Sequence, residues 1–485
     1  MYEGVRKASL VWIGVVACSS TSWAQPAPQM PPNAATPATR SSPTPGPAST
    51  PPPAAPPATE LWDRPNLLGD FGGLRSGLAG RGISFGLLET SEVLGNPTGG
   101  IQQGAIYEGL TEASMGLDLA RLIGIENGVI NFSAFQIHGR GLSTNNIGNL
   151  NNVRSIEATR GTKLFELFYQ QGLAGGKLDV RVGQLAADQE FLNSQYSSSL
   201  MNSTSFGWPE LPSQDVPGSG PIYPLATPGV RARWSVSSPL TVMAGIYNGN
   251  PAGPGPGDPQ LRDASGTAFR LNDGIFAIAE AQYIINGSTH PTGLPGSYKV
   301  GAWFESQGTF SQQFDNTGRS LANPLASGQP RALNGDYSVY GMVDQLIYRE
   351  PGTINQGAAI FFRVMGAPED RNPISFFADG GLTYKGLVPG RNNDTAAVGV
   401  SVSRISPVAG HLDGDRQFYS GARTPIRSSE GVLELTYEYQ AAAWWLIQPD
   451  LQYVFNPSGE VLDPVKPARN VGDAFMLGLR LVVTL

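Results

Sequence analysis

The chain has 485 residues, of which 15% are charged, with a formal net charge of -7 and a single cysteine, Cys18. That charge content lies well below the roughly 25% of ordinary soluble domains, and the mild acidity excludes the basic footprint of a nucleic-acid binder. With no cysteine beyond residue 18, a disulfide framework or a cysteine-based metal site in the body of the chain is also excluded.

In chain order, Arg6 and Lys7 precede an apolar run from Ala8 to Ala17, and Ser22-Trp23-Ala24 places small residues around a cleavage position. A secretory signal over residues 1–24 is expected. A rival reading takes Val15-Val16-Ala17-Cys18 as a lipoprotein box with Cys18 acylated; both readings send the chain out of the cytoplasm. Residues 25–60 are almost wholly Pro, Ala, Ser and Thr. They bury too little apolar area to offset the entropy of ordering, so a disordered linker is expected. No later run of about 18 apolar residues occurs, which excludes spanning helices. A membrane-spanning body, residues 61–485, must then be a closed barrel, in which every backbone group is paired inside lipid.

Leu67, Phe71, Leu74 and Leu78 fall on one helical stripe and predict a short helix just before the barrel. From Gly82 the period changes to two. Residues 177–185 set Leu178, Val180 and Val182 against Asp179 and Arg181. Residues 229–236 set Val230, Ala232 and Trp234 against Arg231 and Arg233. The final segment, 475–485, sets Phe475, Leu477, Leu479, Leu481, Val483 and Leu485 on one face. About sixteen such segments occur, most near the roughly 9–11 residues that cross a tilted barrel wall. Connections alternate in length: 172–176, 237–239, 350–356 and 441–444 are tight, whereas 139–162, 186–228, 249–273, 308–335, 406–429 and 456–474 are long. Barrels sort short turns to the periplasm and long loops outside; the connections near 285–296 and 367–373 break the pattern. The expected fold is an all-β transmembrane antiparallel β-barrel of about 16 strands, with a short N-terminal helix and long outside loops.

Strand phase turns apolar residues to lipid and charged residues to an enclosed aqueous lumen. The inward candidates are Arg181, Arg231, Arg233, Glu280, Glu305, Arg363, Asp379, Lys385, Glu434 and Glu438. Each either joins a ring of mixed charge at a narrowing or merely solvates the wall. Trp303, between Lys299 and Glu305 on the polar phase, offers an aromatic plane to a solute in the lumen, or else packs against the wall or a loop. Asp188, Glu190, Trp208 and Tyr223 lie in the longest connection. Trp234, Trp444, Trp445, Tyr437, Tyr439 and Tyr453 read as aromatics of the lipid interface. The histidines His138, His290 and His411 are scattered without metal spacing, and no G-x-S-x-G elbow occurs. No cofactor, metal or catalytic group is expected, although a barrel enzyme and an adhesive surface barrel are the rival classes.

Ten stretches together resemble the carbohydrate-selective porin family, often called OprB: LLGDFGGLRSGLAGRGI (67–83), SEVLGNPTGG (91–100), FQIHGRGLS (135–143), GQLAADQEFLNS (183–194), NSTSFGWP (202–209), YPLATPGVRAR (223–233), YNGNPAGPG (247–255), GAPEDRN (366–372), GLTYKGLVPGRNNDT (381–395) and WWLIQPDLQYVFNP (444–457). The resemblance implies an outer-membrane barrel whose third outside loop, 186–228, folds inward to narrow a channel for passive uptake of mono- and oligosaccharides. It implies sugars in transit, outer-membrane lipids and the barrel-assembly machinery as partners, and leaves a homo-oligomer open. The Pro-rich 25–60 segment and the final Leu485, where such barrels usually carry an aromatic, depart from the pattern.

Overall fold

The computed structural model describes residues 60–153, 156–287 and 293–485. The signal reading, the rival at Cys18, nearly all of the Pro-rich segment and His290 lie outside the described residues.

Among the described residues there are eighteen strands: β1 Ile83–Gly100, β2 Gly104–Asp118, β3 Gly128–Gly139, β4 Gly161–Leu173, β5 Leu178–Leu185, β6 Thr227–Ser235, β7 Leu240–Asn248, β8 Ile275–Ile285, β9 Gly296–Glu305, β10 Thr309–Asp315, β11 Pro330–Leu333, β12 Asp336–Arg349, β13 Gly357–Gly366, β14 Ile374–Lys385, β15 Thr395–Ile405, β16 Ser429–Ala442, β17 Trp445–Phe455 and β18 Gly472–Thr484. Sixteen of them close into one antiparallel barrel, with β1 hydrogen-bonded to both β2 and β18. Closure leaves the barrel sheet without an edge, the condition for a sheet to stand in hydrocarbon. The remaining pair, β10 and β11, forms a small separate sheet. It sits in a connection that shows no strand pattern in the sequence, as does the 14-residue helix Pro407–Ser420.

Period two governs the wall. Val93, Val230, Val300, Phe362, Val400 and Leu479 point outward and are exposed, while Glu92, Arg231, Trp303, Arg363, Ser401 and Arg480 point inward and are buried. A β-bulge in β4 breaks the phase. Opposite Ser133, β4 carries an extra residue, because Phe132 pairs with Leu167 but Ala134 pairs with Leu164. Phe165 and Glu166, consecutive in sequence, thereby both turn inward.

Ahead of the barrel, the helical stripe yields a short 3-10 turn, Phe71–Gly73, and a helix, Leu74–Gly80. Gly72 and Gly73 have φ of 67° and 95°, which ends any helix running up from Leu67. This segment clamps the last strand: Leu67 N donates to Thr484 O (2.8 Å), and Arg75 Nη2 donates to Leu485 O (2.8 Å). Trp444 belongs to the same clamp. It is buried, stacks on Trp62 and Trp445 at 5.8 Å each, and its Nε1 donates to Leu61 O (3.0 Å). Its expected place at the lipid interface is therefore corrected: the N-terminal segment covers it.

Candidate functional site

Residues 186–226 leave β5 and cross the inside of the barrel. Backbone groups on such a path have no sheet partners, and buried N–H groups must find acceptors. Side chains of the wall supply them. Ala186 N donates to Glu166 (3.0 Å), Leu192 N to Glu280 (3.2 Å), and Gln195 N to Asp344 (3.3 Å). Met201 N and Asn202 N both donate to Glu434, the second at 2.9 Å, and Ser199 Oγ donates to Glu438 (3.0 Å). Arg363 serves the carbonyls. Its Nε donates to Asp379 (2.7 Å) on the neighbouring strand, and its Nη atoms donate to Leu192 O (3.1 Å), Ser205 O (3.1 Å) and Gly207 O (2.6 Å). The loop is thus tied to β8, β12, β13 and β16, across the lumen from its root.

On the near side, Glu190 is the hub. Its Oε1 accepts from Arg231 Nη2 (2.8 Å) and pairs with Arg181 Nη1, while Arg231 Nη1 pairs with Asp179. Arg181 also donates through Nε to Gln170 (2.8 Å), and its guanidinium lies 4.7 Å from the centre of the Phe168 ring. Glu166 interacts electrostatically with Arg181, Arg231 and Glu190, and also with Glu112 of β2. Fixed acids and guanidinium groups therefore share one cross-section where the loop meets β2, β4, β5 and β6.

The expected site residues divide by place. Arg181, Glu190 and Arg231 meet at this hub. Arg233, next inward on β6, is half-buried and forms no ion pair among the described residues, and Lys385 is half-buried on β14. Glu280, Arg363, Asp379, Glu434 and Glu438 face inward as expected, but they hold the loop. Asp188 is buried in the loop and accepts from Tyr223 N (2.9 Å); burial pushes its carboxyl up to about 8. Glu305 accepts from Gln307 N (2.8 Å) and, with Asp215, Arg262, Phe310 and Asp336, lines a cavity of about 440 Å³ beside the loop. Three aromatics are walled off. Trp208, Tyr223 and Trp303 are each no more than 2% exposed. Tyr223 packs on Phe135 and Phe165, and Trp303 packs near Phe276. They brace the loop and offer no ring face to the lumen.

Glu166, Asp344 and a second inward loop escape the sequence reading. Glu430 of β16 accepts from Leu150 N (2.7 Å) and Asn151 N (2.6 Å), pulling the loop after β3 into the barrel as well. Asp344 lies on the polar phase of its strand and was legible there; Glu166 is hidden by the bulge.

A family model, carbohydrate-selective porin, OprB family, matches residues 102–485. The chain belongs to this family. It is an outer-membrane sugar porin and not an enzyme, as its relatives agree. Porin B of Pseudomonas aeruginosa is 22% identical over 419 residues, covering 81% of this chain and 87% of the relative. A putative porin, QuiX, of Acinetobacter baylyi is 21% identical over 449 residues, covering 87% and 94%. The high-pH structure of OprB from Pseudomonas putida superposes with a TM-score of 0.77 at 21% identity, over 87% of this chain and 99% of that one. The sixteen-strand closure is therefore the architecture of an OprB-family relative too.

Proposed function

We propose that this OprB-family porin passes mono- and oligosaccharides through the gap between the inward loop and the β2–β6 wall, with Arg181, Arg233, Glu190, Glu112 and Glu166 touching the sugar and the buried Arg231 holding Glu190 in place. The Arg181–Glu190–Arg231 hub carries this reading. A sugar presents hydroxyl groups that both donate and accept, and charged donors and acceptors held in place serve both directions. The contacts must be weak and several, so that a sugar enters readily and also leaves. Because the guanidinium groups of Arg181 and Arg231 are already paired to carboxylates, neither offers a deep binding well. The outer wall then faces outer-membrane lipids, and insertion falls to the barrel-assembly machinery.

Proteoliposome swelling with glucose, maltose and an amino acid of glucose-like size tests the proposal. The sugars should enter faster than the amino acid. Equal rates would remove sugar preference at this gap, and unchanged sugar rates in Glu190→Ala would move the path elsewhere.

A further inference from the structure

The cavity beside the inward loop holds chemistry that the Arg181–Glu190–Arg231 hub does not use. Its volume, about 440 Å³, falls within the range of small-molecule sites. Its walls come from residues 213–219 of the loop, from the connection between β7 and β8, and from the ends of β9 and β12 that meet the next long connection. It therefore lies on the outer side of the barrel, and no member of the hub lines it. Five buried polar atoms without a partner among the described residues share its wall: Asp215 Oδ2, Glu305 Oε2, Asp336 Oδ2, Ser219 Oγ and Arg262 Nε. Glu305 and Asp336 are each 1% exposed, and Ser219 is 2% exposed. In each acid the other oxygen is fixed. Ile374 N donates to Asp215 Oδ1 (3.4 Å), Gln307 N to Glu305 Oε1 (2.8 Å), and Asn372 Nδ2 to Asp336 Oδ1 (2.9 Å). Buried polar atoms left unmatched are costly, so a ligand that meets them is favoured.

Charge narrows the choice of ligand. Three acids stand on the wall against one guanidinium, that of Arg262. Arg262 gives its Nη atoms to the carbonyls of Gly257 (2.7 Å) and Gly253 (3.0 Å) and forms no ion pair among the described residues. Arg371, which acts electrostatically on Asp336, is already paired to Asp370 at 2.9 Å. The cavity thus favours a cation. A bare metal ion fits poorly: among the described residues no three acid, histidine or cysteine side chains form a metal's ligand set, and one ion fills little of the volume. The unmatched oxygens are spread along the wall, so a ligand that reaches several of them is an extended molecule with several donors. Phe310, more than half exposed, adds an aromatic ring at the rim.

We propose that this cavity binds a polyhydroxylated primary amine, an amino sugar in its ammonium form. The sugar skeleton rests on the sugar-porin reading; the site itself is separate from the hub. Asp336 interacts electrostatically with both Glu305 and Asp215, so an ammonium group beside Asp336 meets the densest negative charge through charge-assisted hydrogen bonds. Ring hydroxyls donate to the remaining carboxylate oxygens and to Ser219, and accept from Arg262 Nε. Phe310 borders the apolar face of the ring. Burial raises the Asp215 carboxyl, and a cation beside it offsets that effect.

Titration calorimetry of the full chain, folded in mild detergent and neutral buffer, tests this with glucosamine, N-acetylglucosamine, glucose and calcium chloride as probes. Binding is read without passage, so the result stands apart from that of the swelling assay. Glucosamine should bind roughly tenfold or more tightly than its uncharged N-acetyl form and than glucose. Glu305→Gln with Asp336→Asn should weaken glucosamine by roughly tenfold or more. Without solute, that variant should keep the heat-modifiable migration of a closed barrel and unfold no earlier than the unaltered protein, because unpaired buried charge has been removed. If the double variant fails to fold, Asp215→Asn in the loop takes its place, with weaker glucosamine binding expected again. Equal affinity for glucosamine and N-acetylglucosamine, no measurable glucosamine binding, or binding unchanged in the variants would overturn the proposal. Calcium that displaces glucosamine and is itself lost in the same variants would assign the cavity to a metal ion and overturn it as well.

Discussion

Arg231 of the barrel wall and Glu190 of the inward loop meet at 2.8 Å, so that an ion pair of the lumen also fixes the loop to the wall. Arg231 is 2% exposed there and Glu190 is 10% exposed. Removing one partner of a buried ion pair leaves the other charge uncompensated, typically at about 3–5 kcal/mol. Arg231→Ala should therefore destabilise the loop strongly, and Arg231→Lys only partly, because lysine cannot bridge Asp179 and Glu190 with a planar fork. Thermal unfolding of the folded barrel on gels, read for the three proteins in parallel, gives the ranking; equal transitions would place the energy elsewhere.

Arg233 is the contrasting case. It faces the same lumen without an ion pair among the described residues, so its charge acts on passing ions. Arg233→Glu should shift the reversal potential toward cations in a salt gradient while leaving thermal stability nearly unchanged. An unaltered reversal potential in planar bilayers would mean that Arg233 lies off the conducting path.

Arg363 holds the far end of the loop through three carbonyls. Replacing it with its partner, as Arg363→Met with Asp379→Leu, removes both charges without orphaning either. The wall should remain folded, the loop should detach from β13, and single-channel conductance should rise several-fold. A conductance equal to that of the unaltered porin would show that the other anchors suffice.

The loop also carries a pH response. Asp188 is raised to about 8, and Glu210 and Asp215 are also raised, in each case chiefly by burial. A carboxyl whose value with the loop packed exceeds the usual value of about 4 holds its proton more tightly in that packed state. The contribution is complete below about pH 4 and is lost as pH rises toward and through about 8. Proteolytic nicking within residues 186–226 should therefore increase between pH 6 and pH 9. Asp188→Asn should flatten the part of that rise due to Asp188, and a pH-independent nicking rate would contradict the assignment.

Arg75 offers a test of the N-terminal clamp. It donates to Phe85 O (3.0 Å) and Leu485 O (2.8 Å), and it lies over the Phe85 ring at 4.6 Å. Hydrogen bonds from a charged donor contribute about 1.5–3 kcal/mol each, with the lower end apt for a half-buried group. Arg75→Ala should lower the barrel's unfolding temperature by several degrees without altering conductance.

Much of this architecture is legible in the sequence because a wall with lipid on one side and water on the other imposes alternation that a reader can count. Arg181 and Arg231 follow from that phase alone. What phase cannot show is how the interior is filled. Trp303 sits on the polar phase, yet an inward loop covers it, and nothing in its own strand announces that loop. Glu434 and Glu438 alternate like any solvated wall residues, although each receives loop donors from more than two hundred residues away. Glu166 fails differently: the bulge opposite Ser133 places it inward beside Phe165, where strict alternation would turn it out.

The seam between β1 and β18 has a consequence for assembly. Glu92 and Arg480, 388 residues apart, form an ion pair across it at 2.5 Å. Until those distant segments meet, the growing sheet keeps two bare margins of unpaired peptide groups, which hydrocarbon does not tolerate. Strand-by-strand insertion of an open ribbon is therefore disfavoured, and the molecule enters the bilayer with its two margins shielded until the final zipper of hydrogen bonds closes.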